Sequence, residues 1–122
     1  VVASSAIRGG KWLPEALQFI QTHQAALARK PFAVFLVCIT LSMSAADKYR
    51  QGVADWLKPV RVLVKPASEG LFAGALDFGK LPLTPNTLLM RATVASGVWR
   101  QGDHRDWNAI RAWADSIRPL LR

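Results

Sequence analysis

Cysteine is nearly absent from this chain. Cys38 is the only one, which excludes an internal disulfide and any metal site built from several cysteines. The glycine-rich phosphate loop, the GxGxxG dinucleotide turn and the known metal-binding spacings are also missing. His23 and His104 have no ligand or triad partner at a suitable spacing in the sequence. We therefore predict no metal site and no catalytic side chain.

Long hydrophobic runs are lacking too. The longest uncharged stretch, residues 31–46, is too short and too often interrupted by polar residues to cross a membrane as a helix. No pattern of a secretory signal peptide occurs. Cys38 lies in an apolar segment, where a buried and unreactive thiol is expected. Together these observations predict a cytoplasmic protein in a reducing compartment.

Acidic residues are scarce relative to basic ones. The chain has 16 lysines and arginines against 8 aspartates and glutamates, a formal net charge of +8. This excess favours anionic partners such as phosphate groups, nucleic acid or lipid head groups, although scattered basic residues are also typical of a solvated surface. We predict no nucleic-acid binding, because the sequence has neither a basic recognition helix nor an aromatic stacking platform.

The pattern that the chain does have is an alternation of strands and helices over 122 residues, the size of one domain. Residues 1–16 predict the end of a buried strand, a glycine-bearing turn and a helix start. Residues 32–39 run without a charged side chain, which is typical of a strand covered on both faces. Residues 71–78 form a second such strand, loosened at Gly74. This alternation predicts an α/β fold with a parallel sheet and right-handed crossovers.

The helices between the strands are predicted from apolar spacing. The first ends at Arg29-Lys30-Pro31, and its apolar face consists of Leu13, Ala16, Leu17, Ile20 and Leu27. A short second helix is predicted over residues 47–58, stopped by Pro59. An extended segment over residues 60–64 and a turn over residues 66–70 follow it.

The last part of the chain is predicted to be a long insert followed by a helix. Residues 79–105 are too long for an ordinary loop unless they are functional or partly helical, and one helical turn or more is expected around Leu88. Asp103, with Asp106 three residues later, predicts an N-cap. The amphipathic helix that follows carries Trp107, Ile110, Trp113, Ala114, Ile117 and Leu121 on its apolar face. We take residues 1–122 as a single domain with an insert at about 79–105.

Three loops follow the carboxyl ends of the predicted strands, and these ends meet at one edge of a parallel sheet, where such folds bind ligands. Glycines and small residues let the backbone approach a flat ligand, an aromatic ring can stack on it, and hydroxyl groups can hydrogen-bond a heterocycle. Each loop alone is equally compatible with an ordinary turn, with Trp12 covering the helix start. The candidate cofactor-binding residues are Ser5, Ala6, Ile7, Arg8, Gly9, Gly10, Lys11 and Trp12, then Thr40, Leu41 and Ser42, and finally Gly74, Ala75 and Leu76.

Three segments together resemble the flavodoxin-like family that includes the menaquinone-dependent protoporphyrinogen oxidases: SAIRGGKW (residues 5–12), LFAGALDF (71–78) and GDHRDW (102–107). The resemblance implies a three-layer sandwich that binds FMN, with residues 5–12 cradling the isoalloxazine ring and residues 40–42 closing its other side. It also implies that the flavin, rather than a side chain, carries electrons. The electrons would pass from a reduced porphyrinogen to a quinone, or between protein partners in an electron-transfer protein.

The same resemblance implies that the chain is a truncated version of the fold. Members of the family begin with a strand and a Ser/Thr-rich, Gly-containing loop that grips the FMN phosphate, and neither precedes Val1 in this sequence. We expect about three strands, corresponding to strands three to five, and a bare apolar edge at the first of them. Because each lost phosphate hydrogen bond costs about 1.5–3 kcal/mol, we expect the chain alone to bind FMN weakly or not at all.

Two further partners are expected under these interpretations. Work with a quinone, together with the basic charge, favours contact with the inner, anionic face of a membrane. Alternatively, the chain is a non-catalytic module that self-associates through its exposed strand edge, which predicts a colourless homodimer.

Overall fold

The computed structural model describes residues 1–43, 45–76, 83–95 and 102–122. Its main sheet has the strand order β2-β1-β3-β4, with β1 at Val2–Arg8, β2 at Lys11–Trp12, β3 at Ala33–Cys38 and β4 at Ser68–Ala73. Strands β1, β3 and β4 run parallel, while β2 runs antiparallel to β1. The predicted α/β fold with a parallel sheet is therefore confirmed, and β2 is added to the three strands expected.

Helices connect the parallel strands and follow the last one. Their bounds are α1 Pro14–Thr22, α2 Gln24–Ala28, α3 Ala46–Asp55, α4 Lys58–Leu63, α5 Pro85–Ala95 and α6 Trp107–Ile117, with single 3₁₀ turns at Ile39–Ser42 and Arg118–Leu121. A separate antiparallel hairpin pairs β5 (Ala75–Leu76) with β6 (Gly102–Asp103). Among the described residues, no helix has the length and apolar character needed to span a membrane.

The core lies on one face of the sheet, and a smaller aromatic cluster lies on the other. Val34 and Leu36 of β3 are fully buried beneath the connecting helices. The same cluster contains Ile20, Leu27, Val53 and Val60 of these helices and Leu57 between α3 and α4. On the opposite face Phe35, Phe72 and Trp113 of α6 form edge-to-face ring pairs at 5.6–5.8 Å between centroids. Alternate residues of β3 thus point to opposite helical layers, which explains why its sequence lacks a charged position.

The predicted extended segment over residues 60–64 is wrong for its first four residues, which belong to α4, and only Val64 is extended. Leu57, Val60 and Val64 are all buried at a spacing of three to four residues, and this period suits one face of a helix. Pro59 stands in the first turn of α4, where its missing N–H removes no intrahelical bond. It begins a helix here instead of only ending one.

The boundaries of β4 and of the first helix also differ from the prediction. Strand β4 begins at Ser68, so part of the predicted turn over residues 66–70 belongs to the strand. It ends before Gly74, and residues 77–78 lie outside the described part of the chain. The first helix is divided at His23, where φ of −106° and ψ of 16° leave the helical region.

The N-cap of the final helix is Asp106, not Asp103 as the capping pattern predicted, and the helix begins at Trp107. The Asp106 Oδ1 atom accepts a hydrogen bond from the backbone N–H of Ala109 at 3.0 Å, which is the usual N-cap bond. Asp103 instead pairs with the guanidinium of Arg105. That side-chain hydrogen bond is the main reason why the pKa of Asp103 is lowered to about 2. Helix α5 confirms the helical content expected in the insert.

Candidate functional site

A tight β-hairpin stands at the carboxyl end of β1, where the sequence predicted a simple turn into a helix. Gly9 and Gly10 have φ of 58° and 71°, and they bring Arg8 opposite Lys11 in the strand pairing. Positive φ at both central residues is the type I′ turn, which matches the twist of paired strands and favours glycine. The predicted first loop is therefore a two-residue hairpin turn whose tip carries no side chain.

We predict that Gly9→Val destabilises this hairpin by about 1–2 kcal/mol, because a left-handed backbone places Cβ against the following carbonyl oxygen. A Cβ added at Gly9 would meet nothing within 4 Å, so the cost comes from the backbone alone. Gly9→Asn is the matched control, since asparagine tolerates this conformation. Urea unfolding of both variants measures the difference, and an asparagine variant as unstable as the valine variant would contradict it.

Trp12 lies in the core instead of presenting its face to the loop. Its side chain is 4% exposed, and its indole Nε1 is buried without a hydrogen-bond partner among the described residues. The aromatic ring nearest the hairpin tip is Trp56, whose Nε1 would be 3.4 Å from a Cβ added to Gly10. Trp56 was not among the candidate site residues, since it falls within the helix predicted over residues 47–58.

Ser5 fastens the start of α1 to β1. Its hydroxyl accepts a hydrogen bond from the backbone N–H of Leu13 at 3.0 Å and donates to the carbonyl oxygen of Ala6 at 2.6 Å. These bonds occupy the hydroxyl, so Ser5 positions the hairpin and the helix relative to each other. Ala6 is exposed and Ile7 is half-buried against the core.

The second and third predicted loops meet each other. The backbone N–H of Gly74 donates to the carbonyl oxygen of Cys38 at 3.3 Å, and the buried Ser42 hydroxyl lies 3.5 Å from the carbonyl oxygen of Gly74. Thr40 and Leu41 are half-buried in the 3₁₀ turn between them. Ala75 and Leu76 belong to β5. The structure thus joins these two loops directly, as parallel strand ends require.

Burial raises the pKa of the Cys38 thiol, and backbone hydrogen bonds from Leu41 and Thr40 oppose this shift. The sulfur is nearly inaccessible at the end of β3, which agrees with the buried thiol expected from the sequence. A thiol with a raised pKa in such surroundings is a poor nucleophile. Among the described residues, no group of three or more histidines, cysteines or acidic residues is arranged to hold a metal ion.

An open pocket of about 680 Å³ lies beside the hairpin, and we call it the hairpin pocket. It is lined by Arg8, Lys11, Trp12, Leu13, Pro14 and Glu15. A second hollow of about 430 Å³ follows β4 and includes Leu41, Arg50 and His104 in its lining. The predicted site residues are therefore divided: part of the first loop lines the hairpin pocket, whereas Leu41 faces the hollow along β4.

The hairpin pocket has features that fit a flat heterocycle with carbonyl acceptors. Its volume is within the range of about 300–1,000 Å³ that is usual for ligand sites. One of its lining side chains, Trp12, contains an indole N–H that lacks an acceptor among the described residues. A buried donor without a partner costs about 1–3 kcal/mol, and a ligand acceptor would remove that cost if the Trp12 ring turned toward the pocket.

These observations define a class of protein, namely an open α/β sheet of parallel strands, and members of this class bind their ligands at the carboxyl ends of the strands. A family model described as a flavodoxin domain matches residues 1–97. This match covers most of the chain, and the chain belongs to the flavodoxin family. No curated protein matches it, and no solved structure does.

Proposed function

We propose that this chain binds the isoalloxazine ring of FMN beside the hairpin and serves a flavin-dependent oxidoreductase. The observation that carries this proposal is the hairpin pocket, whose lining includes Trp12, a residue with a buried and unpaired indole N–H. Flavodoxin domains typically bind flavin, and the match to their family model includes every residue of this pocket. When bound, FMN supplies the electron-transfer chemistry.

The chain's own residues would orient the ring and exclude water from it. The indole N–H of Trp12 would donate to a ring carbonyl after its side chain turns toward the pocket. Gly9 and Gly10 allow close approach because the hairpin tip has no side chain. Ser5 holds the start of α1 in place through its bond to Leu13. No proton transfer by a side chain is required in this arrangement.

The finer proposal is oxidation of protoporphyrinogen with a quinone as electron acceptor. The segments that resemble the porphyrinogen oxidases and the net charge of +8 support it. Helix α5, in the predicted insert, leaves Leu88 and Leu89 exposed together with the preceding Leu83, which suits contact with an apolar or membrane surface. The alternative is electron transfer between protein partners. Formation of fluorescent porphyrin with a quinone present, but not without it, favours the oxidase.

The experiment titrates riboflavin, and separately FMN, with the protein up to millimolar concentration. Binding is measured as quenching of the flavin fluorescence. Riboflavin tests the ring site without the phosphate. We expect Trp12→Phe to weaken riboflavin binding about fivefold, because a hydrogen bond contributes about 1 kcal/mol. Trp107→Phe removes an indole N–H from an exposed tryptophan of α6 and should leave the affinity unchanged.

Absence of any quenching, or equal affinities for the native chain and Trp12→Phe, would overturn this assignment. The mass of the protein, measured on the same sample, tests the non-catalytic alternative. Among the described residues, only Ile7 and Arg8 of β1 pair with β2, whereas residues 2–6 pair with β3 alone. The other edge of residues 2–6 is therefore open to a second copy. A colourless dimer would favour that self-associating module.

A further inference from the structure

Two cations face each other across the hairpin and line the same pocket as Trp12. Arg8 and Lys11 are directly opposed in the strand pairing, and both side chains are exposed. Neither forms an ion pair within the part of the chain that the structure describes. Glu15 is the remaining charged residue of the pocket lining. The hairpin pocket therefore carries two positive charges against one negative charge.

Asp55, the acidic neighbour of Trp56 in sequence, does not offset this excess. Its carboxylate is paired with the ammonium of Lys58 at 3.6 Å. The 3₁₀ turn at Ile39–Ser42 contains no charged residue. The lining of the hairpin pocket is consequently positive on balance, and an anion in the pocket would be attracted to it.

We propose that Arg8 and Lys11 make this pocket bind the reduced, anionic flavin more tightly than the neutral oxidised flavin. This inference rests on the proposed flavin site. Reduction adds two electrons and one proton to the neutral ring, so the reduced form carries one negative charge on the ring. A cation pair distinguishes these two forms, whereas the ring contacts of Trp12 and the glycines are present with both.

The consequence is a preference for one direction of electron flow. A site that stabilises the reduced flavin raises the reduction potential of the bound ring. Such a site is suited to accepting an electron pair from an organic donor, as an oxidase does, and is poorly suited to delivering electrons at low potential. The two charges on the hairpin would thus favour the function of an oxidase over that of an electron-transfer protein.

The test compares the affinity of the full chain for oxidised riboflavin with its affinity for dithionite-reduced riboflavin. Both are measured by equilibrium dialysis under argon, at a mildly alkaline pH where the reduced flavin is an anion. We expect the reduced form to bind more tightly. The dissociation constant of oxidised riboflavin divided by that of reduced riboflavin should fall about tenfold in Arg8→Gln/Lys11→Gln. For a two-electron couple that change equals about 30 mV.

Lys30→Gln/Lys65→Gln is the matched control, because it removes the same charge at the amino end of the sheet. Both lysines are exposed, and they adjoin the starts of β3 and β4. This control should keep the native ratio. Salt should lower the ratio of the native chain, since it screens exposed charges.

The outcomes separate this inference from the proposed function. If neither form of riboflavin binds to the native chain, both are overturned. If both forms bind and the ratio is the same in the native chain and in Arg8→Gln/Lys11→Gln, the flavin site stands and the role of the cation pair is wrong. Should the double variant fail to fold by circular dichroism, a salt-independent ratio for the native chain overturns the inference by itself.

Discussion

Replacing Trp12 with alanine is expected to lower the free energy of unfolding by about 3–5 kcal/mol, the usual cost of deleting a buried aromatic ring. The indole is 4% exposed and packs in the main core. It joins the hairpin to the helical layer, so the cavity left by alanine cannot close without moving β2 or α1. Urea denaturation followed by far-ultraviolet circular dichroism measures the loss as a lower midpoint.

Trp12→Phe is the companion variant, because it keeps an aromatic ring and removes the N–H that has no partner. An unsatisfied buried donor costs about 1–3 kcal/mol, so its removal offsets the smaller volume of phenylalanine. We expect the stability of this variant to stay within about 1 kcal/mol of the native chain. A loss as large as that of Trp12→Ala would show that Nε1 does form a bond in the protein without flavin.

This pair of substitutions also bears on what the sequence could predict about the site. The strand-turn-helix order of residues 1–16 was readable, because Gly9-Gly10 marks a turn and Pro14 marks a helix start. Strand β2 could not be predicted, since a strand of two residues is too short to show an alternating pattern. That extra strand decides which side of the backbone Trp12 occupies, and a shift of one residue moves a side chain to the other face. The prediction therefore named Trp12 but could not place its ring.

The same limit applies to α4, which was predicted as extended. Over five residues, Val60 to Val64, β-branched side chains favour a strand, while the buried period of Leu57, Val60 and Val64 appears only when the preceding helix is included. A tertiary contact also stabilises α4: Arg61 donates to both carboxylate oxygens of Glu69 at 2.8 and 2.6 Å. No local pattern encodes that partner. By contrast, β3 was predicted almost to its ends because burial on both faces is visible in the sequence itself.

Gly70 shows how a single position on β4 controls the packing of α6. A Cβ added there would lie 2.8 Å from Cε2 of Phe72 and 3.0 Å from Cβ of Phe35, and these two rings contact Trp113. We expect Gly70→Ala to cost about 1–3 kcal/mol, since added volume in a packed cluster forces the rings to move. Gly70→Val should cost more. Loss of near-ultraviolet circular dichroism would report the displaced rings.

Gly52→Ala is the control for Gly70→Ala, because the two substitutions are expected to change stability in opposite directions. Gly52 lies in α3, and a Cβ added to it would meet nothing within 4 Å. Alanine stabilises a helix interior by about 0.5–1 kcal/mol relative to glycine, so the same substitution should raise stability at residue 52 and lower it at residue 70. If Gly70→Ala were also stabilising, α6 would not be packed on the sheet through the ring of Trp113. The hydrogen bond from the indole Nε1 of Trp113 to the Ser68 hydroxyl, 3.0 Å long, would then be absent as well.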